Sequence, residues 1–62
     1  MTLSFIVDGT VYAKRDWSIL PERYDCILLR NGKYRVISRN FVSTLDTLNA
    51  DYVELICELV SD

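Results

Sequence analysis

The 62-residue chain contains no histidine, one proline, two glycines and two cysteines. Without an imidazole there is no serine triad, no ordinary general base near neutral pH and no histidine metal ligand. Two thiols alone do not make the four-ligand set of a structural zinc site. No calcium-type Asp-x-Asp-x-Asp-Gly loop and no glycine-rich phosphate loop occurs. The Ser and Thr hydroxyls have no base, and Lys14 and Lys33 lie among polar residues rather than in the apolar pocket that activates a lysine nucleophile. Neither an enzyme nor a cofactor is therefore expected. No apolar run approaches the ~20 residues of a membrane span. Residues 1–10 lack the basic start and small-residue cleavage site of a secretion signal.

What is present describes a folded domain. Hydrophobic residues make up 50% and charged residues 26% of the chain, which is not a disordered composition. A single domain spanning residues 1–62 is expected. Such a chain buries only about 60% of its unfolded surface, and domains of this size usually add a disulfide, a metal or a partner. Cys26 and Cys57 lie inside apolar strings, Cys26-Ile27-Leu28-Leu29 and Leu55-Ile56-Cys57. That setting suits free, buried thiols in a reducing cytoplasm, although a 26–57 bridge stays open. Self-association as a homodimer, or binding to another protein, is the remaining stabiliser.

Two turn dipeptides organise the first two-thirds. Asp8-Gly9 separates Leu3–Val7 from Thr10–Ala13 and pairs Val7 with Thr10, Ile6 with Val11 and Phe5 with Tyr12. Asn31-Gly32 separates Tyr24–Arg30 from Lys33–Arg39 and pairs Leu29 with Tyr34 and Ile27 with Val36. In that register Arg30, Lys33, Arg35 and Arg39 share the opposite face with Tyr24. Between the hairpins, Lys14–Glu22 reads as a loop or single turn whose Trp17 and Leu20 close the core, with Leu20-Pro21 extended. Ser43-Thr44-Leu45-Asp46 resembles a helix start. The segment after it fits either a continued helix (Leu45, Leu48, Tyr52, Leu55, Leu59) or an alternating strand (Val53, Leu55, Cys57, Leu59). The expected fold is α+β and mostly antiparallel β. It has hairpins near 3–14 and 24–39, a short helix near 43–49 and a final strand near 52–60, and could close as a small barrel.

Charge is unevenly spread. Residues 14–39 hold all seven basic residues against three acids, while residues 40–62 hold five acids and no base. The basic face (Tyr24, Arg30, Lys33, Arg35, Arg39) could meet phosphates while an aromatic stacks on bases. A pI near 4.9 is a poor footprint for nucleic acid, and a face salt-bridged by Glu54 and Glu58 is the plainer reading. The acids Asp46, Asp51, Glu54 and Glu58 could imitate a phosphate track or simply be solvated. Phe41, next to Val42, is either a staple that sets helix entry or an anchor for a partner pocket.

Tyr24-Asp25, Leu28-Leu29, Gly32-Lys33 and Tyr34, followed by a polar-capped segment and a β-rich, Asp-led C-terminus, resemble the small phage-encoded inhibitors of uracil-DNA glycosylase. The likeness covers residues 24–60. It implies a dimeric sheet-plus-helix protein that fills the enzyme's DNA-binding cleft as a DNA mimic, with an apolar side chain in the pocket and acids in place of phosphates. The family's aromatic plug on the helix meets Leu45 and Leu48 in this chain, its helix-end Tyr meets Asn49, and the Asp8-Gly9 hairpin is extra. The functional expectation is a non-catalytic module, encoded by a phage or mobile element and acting in the host cytoplasm, that inhibits a host enzyme. Its contact residues would be Phe41, Leu45 and Leu48 with Asp46, Asp51, Glu54 and Glu58. The rivals are a small SH3-like or OB-like nucleic-acid-binding barrel and a structural virion subunit.

Overall fold

A computed structural model describes residues 1–30, 32–43 and 51–61. Among the described residues, five strands form one curled sheet, a half-barrel: β1 (Thr2–Val7), β2 (Thr10–Asp16), β3 (Cys26–Leu29), β4 (Gly32–Val42) and β5 (Tyr52–Ser61). The spatial order is β2-β1-β5-β4-β3. The C-terminal segment, open to either periodicity in sequence, is a strand. It lies at the centre of the sheet, antiparallel to β4 and parallel to β1. The mostly antiparallel expectation therefore holds for three of four pairings. Among the described residues there is no helix, and the short helix expected near 43–49 lies, apart from Ser43, outside them.

The core follows from alternation on the inner face. Leu3 and Phe5 of β1, Ile27 and Leu29 of β3, Tyr34 and Val36 of β4, and Val53, Leu55 and Cys57 of β5 form one buried cluster. Nearest neighbours in register share a face, as Leu3 does with Val53 and Phe5 with Leu55. The segment between β2 and β3 crosses the open side of the half-barrel. Trp17 sets its ring edge-on to Phe5 (centroids 5.4 Å apart), and Leu20 packs against the cluster, so that segment closes the core as its apolar residues predict.

The first hairpin turns at Asp8-Gly9, with φ of 52° and 76°, both in the left-handed region that a type I′ turn demands. Val7–Thr10 and Ile6–Val11 pair as expected. The expected Phe5–Tyr12 pair does not form, because Tyr12 is an extra residue in a bulge and Phe5 faces Ala13. Tyr12 packs instead against Tyr34, centroids 5.2 Å apart.

The second hairpin differs from expectation by two residues. Its ladder closes at Leu29–Gly32 and continues through Leu28–Lys33, Ile27–Tyr34 and Cys26–Arg35. The turn thus falls between Leu29 and Gly32, with Arg30 at φ 53°. A two-residue slip keeps every side chain on its face, so apolar patterning does not distinguish the two registers. Gly32 favours the observed one. Its φ is not positive, but a Cβ there would stand 2.9 Å from Tyr34 Cε2 and 3.2 Å from Leu59 Cδ1. The absent side chain makes room for the buried Tyr34 ring.

Candidate functional site

The basic face does not assemble. A bulge at Ile37 sets Val36 opposite Cys57 but Ser38 opposite Ile56, and an extra residue reverses the alternation beyond it. Arg39 consequently faces Leu55 and Phe41 faces Val53 on the inner side, while Lys33 and Arg35 stay on the outer side. Arg30 leaves the sheet plane at the turn. Its guanidinium lies 4.3 Å from the Tyr12 ring centroid, and Nη2 donates to the Tyr12 carbonyl (3.0 Å). Arg23 acts likewise, stacking 4.7 Å from the Tyr24 ring while Nε donates to the Ile37 carbonyl (3.0 Å). Tyr12 and Ile37 are the extra residues of their bulges. Two arginines therefore satisfy carbonyls at points where the ladder is interrupted. Arg35 reaches Glu58 at 3.5 Å, one of the acids expected to balance that hairpin. Exposed as it is, this pair adds little stability.

Tyr24 was expected in a strand, but β3 begins at Cys26. Tyr24 has φ 74° and is the third residue of a turn in which Asp25 N–H donates to the Glu22 carbonyl (3.1 Å). A positive φ at that position marks a type II turn, where glycine is usual. Tyr24 N–H then donates to the Val36 carbonyl, and Val36 N–H to the Asp25 carbonyl. Two residues thus answer one, a G1-type bulge with tyrosine at the glycine position. The Asp25 carboxylate accepts the Glu22 N–H at 2.8 Å and holds the turn.

The apolar and acidic candidates lie at the other end of the β4–β5 ribbon. Phe41 is 59% exposed, with the Arg39 guanidinium 5.9 Å from its ring centroid. Asp51 N–H donates to the Val42 carbonyl (2.7 Å), setting this exposed acid at the same end. Glu54, half-buried on the outer face, helps line an open groove of about 340 Å³ with Thr2, Ser4, Lys14, Asp51 and Tyr52. Glu58 lies further along β5. Leu45, Asp46 and Leu48 are outside the described residues.

Both cysteines are free. Burial pushes the Cys57 thiol up to about 11, and its Sγ donates to the Leu55 carbonyl at 3.4 Å. Cys26, expected to be buried, is exposed, because it points outward from a strand at the sheet's margin. Among the described residues no three Cys, Asp or Glu side chains gather to hold a metal ion.

Sequence reasoning missed the margin beside Cys26. There an open groove of about 590 Å³ runs between Asp16–Ile19, Pro21 and Asp25–Cys26. Leu28 and Ile19 are 79% and 76% exposed. The sequence places Ile27 and Leu29 on the apolar face and Cys26 and Leu28 on the basic one. Only the strand order reveals that one of its edges is open. Comparison with family models, curated proteins and solved structures finds no match.

Proposed function

We propose that the chain is a non-catalytic protein-binding module whose contact site is the Phe41 end of the β4–β5 ribbon. The observation that carries this reading is Phe41 itself: an aromatic ring exposed on a regular strand, with Arg39 beside it and Asp51 at the same end. Aromatic and arginine side chains dominate binding energy at protein interfaces. The dispersal of the basic residues also speaks for a protein partner over nucleic acid, since two arginines are occupied within the fold and one pairs with Glu58. In its fuller form the module is a phage or mobile-element product acting in the host cytoplasm. There it inhibits a host enzyme, with Asp51, Glu54 and Glu58 in the role of phosphates. Uracil-DNA glycosylase is the specific candidate, and Leu45, Asp46 and Leu48 belong to the same proposed contact set.

The test is capture from nuclease-treated bacterial lysate at high salt, with the wild-type chain and Phe41→Ala compared by mass spectrometry. One stoichiometric host protein, lost with Phe41→Ala, is the expected result. Equal capture by both chains, or none, would remove the Phe41 site. The specific version is checked with purified uracil-DNA glycosylase and uracil-containing DNA, where undiminished cleavage at excess inhibitor rules that enzyme out.

A further inference from the structure

The sheet has two margins, and they are built differently. The far end of β2 carries Lys14, Arg15 and Asp16, charges of the kind that discourage edge-to-edge pairing. β3 consists of Cys26, Ile27, Leu28 and Leu29 and has no charge. Its free hydrogen-bonding groups follow from its pairing. Val36 N–H donates to the Asp25 carbonyl, so Asp25 is a bonded position. By antiparallel alternation Ile27 and Leu29 are bonded to β4 as well, while Cys26 and Leu28 turn their N–H and C=O groups outward. No hydrogen bond from another described element reaches those four groups. An edge with free backbone groups, an uncharged sequence and a leucine 79% exposed is primed for strand addition.

We infer that the open edge of β3 pairs with β3 of a second copy of this chain, antiparallel, about a two-fold axis at Ile27. This interface is separate from the Phe41 site and does not depend on it. The register selects the occupant. With Ile27 opposite Ile27 of the second copy, Cys26 faces Leu28 of the second copy and Leu28 faces Cys26 of the second copy. Both are hydrogen-bonded pairs, so every outward group on both strands is satisfied in one isologous set. Leu28 then lies beside a thiol rather than in water. The same register sets Asp25 opposite Leu29 of the second copy and Tyr24 opposite Arg30 of the second copy, so no like charges meet across the pair. A copy of the chain meets the backbone and apolar requirements of this edge together, and brings no like charges to it.

Sedimentation velocity from low-micromolar to near-millimolar protein reads the assembly, and engineered thiols read the register. The wild type is expected to pass from 7.2 kDa to twice that mass. Leu28→Lys should weaken the dimer by at least about tenfold while leaving the thermal melt unchanged at a concentration where both chains are monomeric. Leu28→Cys places a new thiol opposite Cys26 of the second copy, with Cα atoms about 5.5 Å apart, so mild oxidation should give a covalent dimer on a non-reducing gel. Wild type, and Leu28→Cys combined with Cys26→Ser, should not cross-link, because their like thiols lie diagonally beyond bonding reach. A chain that stays monomeric, a dimer indifferent to Leu28→Lys, or cross-linking equal in all three thiol variants overturns the inference. A monomer whose capture of a host protein is abolished by Leu28→Lys but not by Phe41→Ala would assign the edge to a foreign strand instead, and would separate failure here from failure of the Phe41 site.

Discussion

The two hairpins use their glycines for opposite purposes. Gly9 has φ 76° and nothing within 4 Å of where a Cβ would stand, so its role is conformational and local. Gly32 has no left-handed φ, yet a Cβ there would press on a buried ring at 2.9 Å, so its role is tertiary. The first turn therefore sits where its dipeptide predicts. The second moves by one residue, and its register by two, because the space Gly32 leaves for Tyr34 outweighs its value as a turn residue. Arg30 then adopts the positive φ, and its side chain closes against Tyr12 across the mouth of the half-barrel. Turn chemistry fixes a hairpin's register only where the core makes no claim on the turn residues.

Substitutions sharpen this contrast. Gly32→Ala should cost about 1–3 kcal/mol, the usual range for overpacking a filled site. Most of that loss should return when Tyr34 is trimmed to Leu in the same chain, measured as the coupling of a double-mutant cycle by urea unfolding. Additive losses would show that Gly32 is not there for the ring. Arg30→Ala removes the guanidinium from the Tyr12 carbonyl and ring together, and a loss of about 1–2 kcal/mol is expected from the two contacts. Arg30→Lys should recover only part of it. An Arg30→Ala chain as stable as wild type would mean that the bulge needs no cap.

Gly9→Ala should cost about 1 kcal/mol from backbone strain alone. Gly9→Asn should cost less, since asparagine tolerates the left-handed region, and no neighbouring substitution should rescue the alanine. Smallest of all, Tyr24→Gly should be neutral or stabilising by up to about 1 kcal/mol, because it relieves the strained φ of 74° at the expense of an exposed stacking contact with Arg23. A loss beyond that size would place Tyr24 in the stability of the turn by its ring rather than its backbone.

Much of the fold was legible because it rests on short-range rules. Asp8-Gly9 marked its turn, alternation in 53–57 marked the inner face of β5, and Trp17 and Leu20 marked the closing segment. Three features were not legible. Each bulge inserts one residue without a sequence signal, yet the bulge at Ile37 decides which face Arg39 and Phe41 occupy. Tyr24 adopts a conformation that its own preferences oppose, held by backbone bonds to Val36 and by Asp25. The parallel β1–β5 pairing is a long-range choice between the two chain ends, and it completes an order in which β3, paired with β4 alone, lies at the margin. Hence Phe41 could be singled out from sequence but not oriented. The uncharged edge of β3 was hidden inside what reads as ordinary core.

The proposed recognition runs through Phe41 and not through dispersed positive charge. Its most direct test is the salt dependence of binding to the protein recovered by capture, for the wild-type chain, for Phe41→Ala and for Arg35→Glu combined with Arg39→Glu. Affinity is expected to change little with salt and to fall with Phe41→Ala by at least about tenfold, in keeping with an interface anchor. The double charge reversal should have the smaller effect. Affinity that collapses as salt rises, survives Phe41→Ala and vanishes with the charge reversal would contradict it.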